Sequence, residues 1–151
     1  MTSSFSLQPL LDLSRFQLDE AARKLGELIA GEQEASQRHS LLVTYREEYQ
    51  NRFLEAAKHG LGQSEWRNYS SFLARIDDAI IQAALSVTLT QQRTLAGQQN
   101  WIGKQGRVKA FDTLSDRYHA QITAQEQRAN QKSSDEHTAR RHSEKTSDDN
   151  T

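Results

Sequence analysis

A chain of 151 residues that is 26% charged and 35% hydrophobic falls short of the roughly 45–50% apolar content, glycine included, of an ordinary globular domain. Its mean hydropathy is -0.84, no run of apolar residues approaches the roughly 18 that span a bilayer, and a formal charge of -1 leaves no basic surplus to attract nucleic acid. The absence of cysteine excludes disulfides and thiolate zinc sites, and no basic-then-apolar leader opens the chain, so a soluble cytoplasmic protein is expected.

Residues 1–6 are expected to form a flexible N-terminus. Ser6 is placed to cap the helix that follows, and Pro9 is tolerated because first-turn donors lack helical acceptors. That first helix is predicted from about Leu7 to Ala57. Its apolar period, alternately three and four residues, runs from Leu18 through Ala21, Leu25 and Leu28, continues past Leu42 and Tyr49, and ends at Phe53 and Ala56. Such a period averages 3.5 residues and keeps one stripe facing a partner helix. Lys58 and His59 then complement the helix dipole, and Gly60 offers the left-handed conformation that ends a helix.

The connection over residues 58–64 is short, which makes the two helices antiparallel neighbours. Ser64 is the expected cap of the second helix, predicted from Glu65 to about Ala129. The same rhythm restarts at Tyr69 and Leu73, passes Ile76, Ile80, Ala83 and Val87, and reaches Trp101, Val108 and Phe111. At 1.5 Å per residue the two helices would reach roughly 75 and 100 Å. One register pairs the whole seam: Phe53 with Tyr69, Leu42 with Ile80, Ala35 with Val87, Ala21 with Trp101, Leu11 with Phe111. Tyr118 and Ile122 find no partner in it. The expected fold is therefore all-α: two long helices forming an antiparallel coiled-coil hairpin over residues 7–130.

Polar layers interrupt this seam where Glu32 meets Thr90 and His39 meets Ala83. Gly97, Gly103 and Gly106 each cost the second helix about 1 kcal/mol relative to alanine. Beyond Ile122 there is no large apolar residue. Residues 131–151 mix both charges with serine and threonine, which cannot repay the entropy of ordering, and are expected to be a disordered polar tail.

Enzyme signatures are absent. The sequence holds no phosphate-binding glycine loop, no dinucleotide fingerprint and no HExxH. His137 and His142 are five residues apart, a poor spacing for a helical metal pair. Carboxylate pairs such as Asp77-Asp78 lie on solvated faces, where nothing raises a pKa for acid–base work. No catalysis, cofactor or metal is expected. What exceeds the needs of one seam is apolar surface. Trp66, Tyr69 and Phe72 recur every third residue, and Phe72, Ile76, Ala79 and Ala83 follow a 4,3,4 spacing. Phe72 is expected in a docking patch and Trp66 packed under Leu61. At the other end Leu10, Leu13 and Phe16 accompany mixed charges, a composition suited to a protein socket rather than to a membrane.

The segments Asp19-Glu20-Ala21-Ala22-Arg23-Lys24-Leu25-Gly26-Glu27, Leu42-Val43-Thr44-Tyr45-Arg46-Glu47-Glu48-Tyr49 and Trp66-Arg67-Asn68-Tyr69-Ser70-Ser71-Phe72 resemble the flagellar FliJ family of the bacterial flagellar export apparatus. The resemblance covers about residues 7–130. It implies an antiparallel coil similar to the central stalk of rotary ATPases. It also implies a non-enzymatic, cytoplasmic part of the type III export system at the inner face of the membrane. Such a protein would insert its tip into the hexameric export ATPase, contact the cytoplasmic linker of the export-gate membrane protein, and handle export chaperones. The gate contact carries over onto Phe72, Ile76 and Ala79. Position 83 departs: Ala83 stands where a larger, polar ring is expected in some members. The ATPase-contacting tip carries over onto Leu13, Arg15, Leu18 and Arg23. A long rod would hold these two surfaces far enough apart to bridge ring and gate. The alternative is a general scaffold that pairs with itself through Leu54, Ile81 and Leu85.

Overall fold

The computed structural model describes residues 4–148, and those residues form two helices with no strand among them: α1, Gln8–Lys58, and α2, Gln63–Asp148. The fold is the all-α antiparallel hairpin that the seam dictates.

The turn obeys the rules of helix ends. His59 N–H donates to the Ala56 carbonyl and Gly60 N–H to that of Ala57, both at 3.2 Å. Gly60 takes φ of 86°, a left-handed backbone that side-chain-bearing residues resist. The carbonyl of Gly62 accepts from Trp66 N–H at 3.0 Å. Gly62 thus occupies the cap position, and Ser64 falls inside the first turn instead of capping it. At the start of α1 the cap is likewise displaced. Leu7, not Ser6, accepts the first helical bond, from Leu11 N–H at 3.0 Å, and Gln8 N–H reaches back to Phe5 at 3.0 Å.

The chain divides into two compact units, Gln17–Gln105 and the pair Met1–Phe16 with Gly106–Thr151. In the first, which contains the turn, every residue assigned to the seam is buried or half-buried. The most deeply buried are small: Ala21, Ala35, Ala83 and Thr94 accompany Ile76. Small residues let the backbones approach. A β-carbon placed on Gly97 would lie 2.6 Å from Leu28 Cδ1. The buried hydroxyl of Thr94 sits 3.0 Å from the Thr90 carbonyl and 3.3 Å from that of Leu28 across the seam, so its burial leaves no orphaned polar atom.

In the second unit Leu11, Ser14 and Val108 are buried, and Arg15 bridges to Asp112 at 2.8 Å. Tyr118 has a partner after all. Phe5 is 8% exposed, with its ring 5.6 Å from that of Tyr118. Phe5 therefore departs from the flexible segment expected over residues 1–6; residues 1–3 lie outside the described ones. A second departure is the C-terminal end. α2 does not stop near Ala129 but continues to Asp148, although every described residue from Thr123 onward is exposed. Nothing apolar is buried there, as the composition requires; helix-favouring Ala, Gln, Glu, Arg and Lys carry the conformation locally. Bonds along it span one turn, as from Gln131 to Asp135 at 3.2 Å and from Thr138 to Ser134 at 2.9 Å. The tail expected to be disordered is thus helical through residue 148, and residues 149–151 lie outside the described ones.

Candidate docking surfaces

Six aromatic rings straddle the helices next to the turn, Tyr49, Phe53 and Tyr69 from the seam and Tyr45, Trp66 and Phe72 from beside it. Phe53 meets Trp66 at 5.1 Å and Tyr69 at 5.3 Å between ring centroids. Tyr49 meets Tyr69 at 5.4 Å and Phe72 at 4.5 Å. Tyr45 closes the series, edge-on to Phe72 at 6.3 Å. Tilted and edge-on pairs of this kind are worth about 0.5–1.5 kcal/mol beyond the area they bury. Desolvation between its neighbours pushes the Tyr49 hydroxyl above its ordinary pKa, with Tyr69 and Tyr45 adding to the shift.

The two aromatic expectations are inverted in part. Phe72 is half-buried against Tyr49 and Tyr45, whereas Trp66, expected to be packed, is 52% exposed with its ring tilted against that of Phe53. Ile76 and Ala83 retain only 5% and 6% exposure. They cannot belong to a surface cluster, because positions 76 and 83 are themselves seam positions and face α1. Of the four residues expected at the gate contact, Phe72 and Ala79 reach solvent. They stand on one flank of the coil with Tyr45, which is 43% exposed and which the sequence reading did not assign to a site. Its signal was present: Tyr45 precedes a seam position just as Phe72 does. Further along this flank a shallow groove of about 280 Å³ runs between Arg38 and Leu42 on α1 and Ala79 and Ser86 on α2, floored by Ala35 and Ala83. Arg46, a seam residue, turns its guanidinium away from this groove onto the Asp77 carboxylate and also bonds Gln50 at 3.0 Å. Hydrogen bonding to Asp77, with its charge, holds the Arg46 guanidinium above its ordinary pKa.

The residues expected at the tip fall into different units. Leu13, 50% exposed, and Arg15 belong to the unit that contains the chain's first residues, beside the exposed Leu10 and Phe16. Leu18 and Arg23 belong to the turn unit, where Leu18 is half-buried in the seam and Arg23 lies exposed 3.8 Å from Glu20. No helix among the described residues is long and apolar enough to cross a membrane.

A two-helix antiparallel coil with shallow surface grooves and exposed apolar side chains on its flanks defines a helical-hairpin protein. The comparisons give that class its family. Residues 3–147 match the family model of the flagellar FliJ protein. The chain is 33% identical over 140 residues to the flagellar FliJ protein of Salmonella typhi, covering 93% of this chain and 95% of that one. It is 30% identical to that of Escherichia coli strain K12, with the same coverage. The chain belongs to the FliJ family of flagellar proteins.

Proposed function

We propose that this chain is a non-enzymatic component of the bacterial flagellar type III protein export apparatus. It engages the hexameric export ATPase as a stalk-like coil, contacts the export gate, and handles export chaperones, working in the cytoplasm at the inner face of the membrane beneath the flagellum. The observation that carries this reading is the FliJ family match along nearly the whole chain. Accessible surfaces where partners would bind support it. The gate contact is assigned to Phe72 and Ala79, with Tyr45 beside them, and excludes Ile76 and Ala83 for want of exposure. The ATPase contact is assigned to Leu13 and Arg15.

Two measurements test it. Ala79→Glu adds charge to the gate flank without removing a ring from the cluster. It should weaken calorimetric binding to the purified cytoplasmic linker of the gate protein by about tenfold or more while leaving the circular dichroism spectrum unchanged. Adding the chain to the purified export ATPase should raise its hydrolysis rate, and Leu13→Asp with Arg15→Glu should abolish that increase. Equal affinity of the Ala79→Glu variant would remove the gate assignment. An ATPase indifferent to the chain would remove the stalk-like role.

A further inference from the structure

The turn unit has two flanks of opposite character. Tyr45 and Phe72, in ring contact, each precede a seam residue, and so do Arg38, Ala79 and Ser86 around the groove. Residues one place before the seam on both helices therefore share a flank, and helical rotation puts the residues one place after it on the other. On the first flank α1 presents Glu20, Lys24, Glu27, Glu34 and Arg38. On the second, between Ala22 and Val43 on α1 and between Ile81 and Ile102 on α2, no position is charged, in a chain that is 26% charged. All but Val43 are exposed. Ile81 is 56%, Leu95 59% and Ile102 59% accessible. Spaced alternately by three and four residues, these positions form a second seam without a partner.

We propose that this charge-free flank pairs with the same flank of a second copy of the chain. The flank is complementary to itself. A twofold axis along the helices lays α1 of one copy antiparallel on α2 of the other. Each layer then repeats the pair already level across one copy. Val43 layers with Ile81, Ile29 with Leu95 and Ala22 with Ile102, apolar on apolar. Ser36 layers with Thr88 and Gln33 with Gln91, polar on polar, and a central amide layer of this kind fixes register. The reversed pairing, α1 on α1, would set Ser36 against Ile29 and Thr88 against Leu95. Small residues such as Ala22, Gly26 and Ala84 permit close approach. The size also suffices. A flank about 33 Å long and about 20 Å wide, from 1.5 Å per residue and helices about 10 Å apart, covers roughly 650 Å² per copy, or about 1,300 Å² in all, within the standard range of specific interfaces. The flank carrying Tyr45, Phe72 and Ala79 stays free in this dimer, so self-pairing and the gate contact do not compete.

Light scattering and sedimentation of the full chain test the proposal. The mass should double by about 100 µM, the weak end of what a standard interface gives. Ile81→Asp with Leu95→Asp should weaken pairing by about tenfold or more with helicity retained, since both residues are exposed. The chain has no native cysteine, so oxidation reports geometry. A mixture of Ser36→Cys and Thr88→Cys chains should cross-link, and a mixture of Ala22→Cys and Val43→Cys chains should not. A monomer at every concentration overturns the proposal, even one whose flank binds another protein or a lipid vesicle. A dimer indifferent to the aspartate pair, or one cross-linked through Ala22→Cys and Val43→Cys, overturns it equally.

Discussion

Among the seven glycines, what surrounds each decides its worth. Gly31 and Gly103 sit inside helices with nothing within 4 Å of an added β-carbon. Alanine at either should stabilise the chain by up to about 1 kcal/mol in urea unfolding, through helix propensity alone. Gly97→Ala gains the same propensity but drives the new methyl into Leu28 Cδ1, so its gain should be smaller or reversed. A gain equal to that of Gly103→Ala would show Leu28 free to swing aside. Tyr49 adds a pH effect. Its hydroxyl titrates above its ordinary value in the folded chain, whereas the unfolded chain ionises it near pH 10. The stability that its neutral form contributes is whole below that pH and is lost as pH climbs through the folded value. Tyr49→Phe should flatten the alkaline limb of a stability–pH profile. An unchanged limb would assign the effect to another group.

At the level of the helices, what the sequence disclosed depended on whether a signal was periodic or singular. The seam was legible residue by residue, polar members such as Glu32, His39 and Thr90 included, because a repeated period outvotes any one side chain. Caps are decided by a single bond. Ser6 and Ser64 look like caps, yet Leu7 and Gly62 hold those places. Surface and seam were confused at Ile76 and Ala83 for a related reason: a 4,3,4 spacing describes either. Phe5 was missed because one aromatic ahead of a helix has no period. The C-terminal end of α2 shows a limit of another kind, since composition forecasts burial better than conformation. Residues 123–148 bury nothing and are helical nonetheless. Removing residues 131–151 should leave the midpoint of urea unfolding unchanged within error and lower helicity roughly in proportion to the residues lost. A marked fall in the midpoint would reveal a contact along that stretch.

For the molecule as a whole, stability rests on one seam and an aromatic cluster rather than on charge. Among the described residues, Arg15 with Asp112 and Arg46 with Asp77 pair across the helices and are partly exposed, while pairs such as Arg23 with Glu20, Arg38 with Glu34 and Lys58 with Glu55 join residues one turn apart. Solvent and salt screen such pairs. Raising sodium chloride from about 0.1 to 1 M should therefore move the melting temperature by only a few degrees. A collapse on adding salt would make those two bridges the main cross-links. Family membership was legible in the Ala21-Ala22-Arg23 and Trp66-Arg67-Asn68-Tyr69 runs; the two unlike flanks became visible only once the helices were laid side by side.

One consequence lies in time rather than in space. Past Ile122 every described residue of α2 is exposed, so its amide protons trade with deuterium through fraying of a turn or two, at a pace indifferent to how firmly Leu11 or Ile76 is held. A single unbroken helix should thus lose its label in two waves, within moments at one end and only on opening of the seam at the other.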